Sequence, residues 1–196
     1  GKWKELQHTK LDPDVFVKRY NDPTVKGVGI ITGFEDLEVI DVDLKVFSTT
    51  SEKVDFWSEY IGTLRESIYD FDKKFSIYKT VSGGYHILYK SKRVTGNSKI
   101  AVLKGHKEAV IETRGTGGYV FVYPESKQSD LSYFQIQYVT DEDREILWNI
   151  SKAYNHEEPK AEPIKKATKA TYKSEGVTPW DDFNSQISIL DIICPD

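Results

Sequence analysis

Asp41 and Asp43 are separated by one residue inside the apolar run Val39-Ile40-Asp41-Val42-Asp43-Leu44. If that run is a strand, both carboxylates leave from one face, about 7 Å apart. Like charges so placed repel, and a cation between them relieves the repulsion. The apolar neighbours argue for a central strand; the alternative is an edge strand with both acids in water. A second segment, Ser82-Gly83-Gly84-Tyr85-His86, supplies a hydroxyl, a flexible backbone and an imidazole. A third, Ile111-Glu112-Thr113-Arg114, supplies another acid and a guanidinium at i and i+2, so on a strand they share a face. Val110 and Ile111 point to a buried strand, where an unpaired acid is costly. Glu112 therefore completes a metal-ligand set or pairs with Arg114. Hard oxygen donors of this kind suit Mg²⁺ or Mn²⁺. Gly115, Gly117 and Gly118 follow at once, either as a tight turn or as a loop close to substrate.

These segments need a scaffold, and the rest of the chain supplies its elements. Asp12-Pro13 marks a helix start, with a capping side chain before proline, and the helix runs to about Tyr20. Residues 27–32 and 37–43 read as two strands joined through Gly33. Thr49 with Glu52 forms a capping box. Behind it Val54, Trp57, Ile61, Leu64 and Ile68 recur at spacings of three and four, which predicts an amphipathic helix over about 51–70. Residues 76–80 and 85–90 read as a hairpin around Gly83-Gly84. Residues 108–113 and 119–123 read as another pair around the later glycines. Residues 133–139 alternate as a further strand. Thr140 caps a helix to about Tyr154, with Ile146, Leu147 and Ile150 inward.

Taken in order, the three chemical segments resemble the archaeo-eukaryotic primase superfamily, and within it the bifunctional primase-polymerase (prim-pol) branch of plasmids, phages and other mobile elements. That branch has an acid-x-acid strand, a Ser-x-His strand and a third acid in a run like Glu-x-Arg-Gly-x-Gly-Gly-Tyr-Val. Here the run is Glu112-Thr113-Arg114-Gly115-Thr116-Gly117-Gly118-Tyr119-Val120, ending Tyr123-Pro124-Glu125-Ser126, with Glu125 where the family often has proline. The resemblance covers about residues 3–150. It implies an α+β fold with a mixed sheet, built as an N-terminal α/β unit plus an RRM-like unit, with a flexible C-terminal tail. It implies that Asp41, Asp43 and Glu112 are catalytic and hold two Mg²⁺ or Mn²⁺ ions. It implies that Ser82, Gly83, His86 and Arg114 bind the nucleotide. The implied partners are dNTPs or NTPs, a single-stranded DNA template and primer, and a helicase domain or subunit.

Composition narrows the field. A chain of 196 residues with 38% hydrophobic content can bury one sizeable core. The expected organisation is a catalytic core over 1–155, a linker over 156–176 rich in lysine, glutamate and proline, and a further element over 177–196. The single cysteine, Cys194, excludes a disulfide framework and a cysteine-based zinc site, so no zinc is expected. No apolar run approaches 18 residues, which predicts no membrane span, and the cysteine count is compatible with a cytoplasmic location. The net charge of −4 argues against nonspecific coating of nucleic acid. From Lys90 to Lys107 there is no acid, however, and Lys90, Lys92, Arg93 and Lys104 could track a phosphate backbone. The alternative is a solvated loop.

Three functions compete. The first is a template-directed primase-polymerase. The second is a metal-dependent nuclease, in which Asp41-x-Asp43-x-Lys45 with a later glutamate serves hydrolysis and Lys45 positions water. The third is a catalytically silent DNA-binding replication domain. The Ser82–His86 and Glu112–Gly115 segments have no evident task in the nuclease, and a requirement for nucleoside triphosphates separates it from the first.

Overall fold

The computed structural model describes residues 3–25 and 27–156. The expected linker at 156–176, beyond His156, and the element at 177–196 lie outside the described residues. In chain order the helices and strands are α1 (Pro13–Tyr20), β1 (Gly29–Ile31), β2 (Leu37–Val42), α2 (Thr50–Ser67), α3 (Phe71–Lys74), β3 (Ser76–Lys79), β4 (Tyr85–Lys90), β5 (Ser98–Val102), β6 (Ala109–Arg114), β7 (Tyr119–Phe121) and α4 (Asp141–Ala153). The fold is α+β.

Local sequence sets the helix starts. The Asp12 carboxylate accepts from the N–H groups of Asp14 and Val15, and Pro13 occupies the first turn. Thr49 and Glu52 complete their capping box, each side chain bonding the other's backbone N–H. Thr140 accepts from the Asp143 N–H. Each cap thereby satisfies one or two of the orphan donors at its helix start.

Five strands form one sheet in the order β3-β4-β2-β6-β5, and every ladder in it is antiparallel. The α+β class is as expected, with parallel pairing confined to isolated bridges at Lys90/Tyr138 and Gly96/Thr116. β2 and β3 run parallel with β4 between them, and α2 connects them, so β2-α2-β3-β4 is a split β-α-β unit. Strand β2 is central, as its apolar neighbours require. A separate two-stranded ribbon pairs β1 with β7.

The two faces of the sheet differ. Ile40, Val42, Ile77, Ile87, Tyr89 and Ile111 pack in the main core with Tyr60, Ile61 and Leu64 of α2 and Leu147 of α4. Complete burial of one such side chain contributes about 1.5–3 kcal/mol. Tyr60 also reaches across to α4, its hydroxyl 2.7 Å from that of Ser151. On the other face Leu37, Val39, Tyr78 and Leu88 pack under Val120, with Ile30, Tyr133 and Ile136 alongside. That smaller cluster covers only part of the face.

The two strands joined through Gly33 form as expected but do not pair with each other; β1 joins β7 across the chain. Three expectations are corrected. β6 and β7 do not pair, because the glycine run carries the chain from the main sheet to the ribbon. Residues 133–139 form no strand: Ser132 and Gln135 close a capping box on a 3-10 turn, Tyr133–Gln135. The Tyr133 ring stacks on Tyr78 at 3.7 Å, and backbone pairing is limited to the end of β4, where the Lys90 N–H donates to the Gln137 carbonyl and the Val139 N–H to the Lys90 carbonyl. Finally, the basic stretch hides β5, whose Ile100, Ala101 and Val102 are buried. On α2, Val54 is exposed, whereas Tyr60 joins Ile61 and Leu64 inside.

Candidate active site

The register of the central strands assembles the site. Asp41 on β2 lies directly opposite His86 on β4 and directly opposite Glu112 on β6. Residues opposed in this way point to the same face. One acid, one imidazole and a second acid therefore stand side by side on three adjacent strands, on the face that the ribbon leaves partly uncovered. Arg114, two residues beyond Glu112, joins them. Its Nε and Nη2 lie 3.1 and 3.0 Å from Asp41 Oδ2, and Nη2 lies 2.7 Å from Glu112 Oε2. The guanidinium thus bridges the two carboxylates.

Asp43 sits one residue past the end of β2, in extended conformation, where it caps a 3-10 turn over Leu44–Val46. Its carboxylate accepts from the Lys45 N–H at 3.0 Å and pairs with Lys45 Nζ at 3.0 Å. Asp41 and Asp43 border one cleft of about 410 Å³ with Ser82, His86, Asn97 and Arg114. Glu112 is outside that lining and meets it through Arg114.

His86 is buried, with Nε2 3.7 Å from Asp41 Oδ1. Burial lowers its pKa below the ordinary 6.5; Asp41 pulls it up, while Arg114 pushes it further down. The ring is therefore neutral at pH 7. Its Nδ1 is buried and makes no hydrogen bond of good geometry among the described residues.

The β3–β4 turn places the hydroxyls. Thr80 Oγ1 accepts from the Gly84 N–H at 3.0 Å and lies 3.0 Å from Ser82 Oγ. Gly83 adopts φ +90°, the left-handed region open to glycine. Gly84 has a different reason to be glycine: a Cβ there would lie 2.2 Å from the Val42 carbonyl oxygen. Gly84 thus serves an approach of the turn backbone to β2.

Among the described residues no three acid, histidine or cysteine side chains are gathered as ligands of one ion. The acids are instead engaged by Arg114 and Lys45. Their chemistry fits a hard cation: Asp41 and Glu112 offer carboxylate oxygens from neighbouring strands, and the spot between them already stabilises a positive charge.

The basic residues of the 90–107 stretch do not line this cleft. Lys92 pairs with Asp36 and bonds the Tyr138 hydroxyl, and Arg93 lies 2.7 Å from Glu145. Lys90 Nζ stands 5.7 Å from the centroid of the Tyr138 ring, and Lys104 is exposed on the β5–β6 turn. Thr80 and Asn97 border the cleft without having been picked out from sequence. No spacing rule marks them, because both act through hydrogen bonds to backbone made distant in sequence or hidden in a turn.

A family model described as bifunctional DNA primase/polymerase, N-terminal, matches residues 2–143. No curated protein matches the chain. The matched span holds the whole sheet, the ribbon and each site residue named above. On that match the chain belongs to the bifunctional DNA primase/polymerase (Prim-Pol) N-terminal domain family.

Proposed function

We propose that the domain catalyses metal-dependent, template-directed nucleotidyl transfer from dNTPs or NTPs in the replication of a mobile element or phage. The observation that carries this reading is the Asp41–Arg114–Glu112 bridge beside His86 at the edge of an open cleft. Such a cluster has the charge pattern for a nucleotide with its divalent cation: acids for the metal and fixed donors for the phosphates. Asp41, Asp43 and Glu112 would hold Mg²⁺ or Mn²⁺. When bound, the metal supplies charge neutralisation at the phosphates and a lowered pKa for the attacking hydroxyl.

The chain's own groups do the rest. Arg114 presents a planar fork of N–H donors that can pass from carboxylates to phosphate oxygens, the geometry that favours arginine at phosphates. Ser82, held by Thr80, offers a hydroxyl to the same oxygens. Neutral His86 can donate one N–H without adding charge. Lys45 holds Asp43 in place in the absence of cation and is free to turn to solvent when one binds. The attacking hydroxyl of the primer, or of a first nucleotide, forms a bond to the α-phosphorus as pyrophosphate leaves. A single-stranded DNA template, a primer and a helicase domain or subunit are the partners this reading requires.

Primer extension on single-stranded template tests it, with Mg²⁺ or Mn²⁺, with dNTPs and with NTPs, and with and without primer. Asp41→Ala/Asp43→Ala should abolish extension, a loss well over ~100-fold, since even removing groups that only support metal ligands costs roughly 10–100-fold. Unprimed product adds primase activity. Shortening of the primer transfers the site to a nuclease, and intact DNA binding without extension transfers it to a silent replication domain.

A further inference from the structure

The glycine run after Arg114 has a structural task beyond turning the chain. Asn97, from the loop before β5, inserts its side chain into the crook of residues 115–118. Its Oδ1 accepts from the Gly115 N–H at 3.0 Å. A Cβ on Gly118 would lie 2.5 Å from that same oxygen, so Gly118 leaves room for it. The seat is tied down elsewhere: the Thr32 hydroxyl donates to the Gly115 carbonyl at 2.7 Å, and the Thr116 N–H to the Thr95 carbonyl at 2.8 Å.

This seat fixes the orientation of the amide. The Gly115 N–H needs an acceptor, so the oxygen must face it and the NH₂ must face away. Asn97 makes no other hydrogen bond among the described residues, so both of its N–H donors are unused. Asn97 also borders the cleft that holds Asp41, Asp43 and Arg114. Such an amide can donate to a phosphate oxygen or to a hydroxyl; where Arg114 takes the phosphates, the amide is left for a neutral oxygen of the same nucleotide. Its position says which one. Asn97 is bonded to the residue next to Arg114, and the unit next to the phosphates in a nucleotide is the sugar.

We propose that Asn97 is a specificity-determining residue that donates to a sugar hydroxyl of the bound nucleotide, with Gly115 and Gly118 as its seat. The inference rests on the nucleotidyl-transfer reading of the cleft. It extends that reading from the phosphates to the sugar.

The test is nucleotide affinity in the presence of Mn²⁺, measured by calorimetry for dTTP, ribo-TTP and ddTTP, with wild type, Asn97→Ala and Gly118→Ala. The dideoxynucleotide lacks both sugar hydroxyls. Asn97→Ala should weaken dTTP or ribo-TTP about 3- to 10-fold, the range of one neutral hydrogen bond, and leave ddTTP within twofold. Gly118→Ala, which pushes the amide out of its seat while keeping Asn97, should reproduce that pattern. Equal weakening of all three nucleotides, or no weakening of any, overturns the proposal while leaving the cleft a nucleotide site. Wild-type protein that binds none of the three overturns the nucleotidyl-transfer reading itself, and this proposal with it.

Discussion

Glu38 lies three residues before Asp41 on β2, so it faces the opposite side of the sheet, and it is fully buried there. Its carboxylate accepts from Arg144 Nε and Nη2 at 2.7 and 3.0 Å and from the Tyr89 hydroxyl at 2.6 Å. It also accepts from the N–H and hydroxyl of Thr95, at 3.1 and 3.2 Å. Trp148 Nε1 donates to the Tyr89 oxygen at 3.0 Å, and its ring lies under the guanidinium of Arg144, which is itself buried. One carboxylate therefore joins β2, β4, α4 and the loop that carries Asn97. Glu38→Ala leaves a buried guanidinium without its partner, which costs about 3–5 kcal/mol. Domains of this kind have only about 5–15 kcal/mol in total. With a urea slope of roughly 1.5 kcal/mol per molar, the unfolding midpoint should fall by about 2–3 M. Arg144→Met should be similarly severe, because it strands the carboxylate. The double variant Glu38→Leu/Arg144→Met removes both charges and should lose less than either single change, about 1–2 kcal/mol for the Thr95 and Tyr89 bonds. Acid should act on the same network. Burial pushes the Glu38 carboxyl up, but the bonds from Arg144, Tyr89 and Thr95 outweigh it and hold the pKa below the ordinary 4.5. The unfolded chain then takes up the proton first, so this contribution is complete above about pH 4.5 and is lost as pH falls through the folded value. The measurement is urea unfolding at pH 7 and again below pH 4.5. Single variants that cost under about 1 kcal/mol, or a double variant whose loss equals the sum of the singles, would refute the account of the network as mutually dependent.

Two glycine substitutions should act in opposite directions. In Gly84→Ala the new Cβ would stand 2.2 Å from the Val42 carbonyl, so the β3–β4 turn must retreat from β2. We expect a loss of about 1–3 kcal/mol in urea unfolding and weakened nucleotide binding as Ser82 moves away. In Gly62→Ala, on α2, the Cβ meets nothing within 4 Å. Thermal unfolding should show a gain of about 0.5–1 kcal/mol, with primer extension unchanged.

Helix caps were legible in the sequence because their determinants are local: Thr49 needs only Glu52 three residues on, and Asp12 only the next turn. The central position of β2 was legible because a strand buried on both faces must be apolar around any functional residue. The three chemical segments were grouped through the resemblance of their order to a family pattern, and the strands that carry or border them, β2, β4 and β6, lie side by side. Less was visible where partners are remote. β5 was masked by flanking lysines, although three consecutive buried residues form its core strand. Residues 133–139 have strand-like alternation, but the Tyr133 ring stacks on Tyr78 of the smaller cluster, and the segment pairs with β4 only at the isolated Lys90/Tyr138 bridge.

Residue type and local spacing set the chemistry on offer: three carboxylates, a guanidinium, an imidazole and a hydroxyl, in segments with the periodicity of strands. Tertiary structure decided which of them meet. Antiparallel register sets Asp41 opposite both His86 and Glu112, and a shift of one residue in either ladder would have turned those side chains to the helical core. It also decided what the acids touch, since Arg114 reaches Asp41 only across strands, and it decided that Asn97 is seated by glycines 18 and more residues away. Such pairings depend on sheet order and on the space left by absent side chains, and neither quantity is written in local spacing.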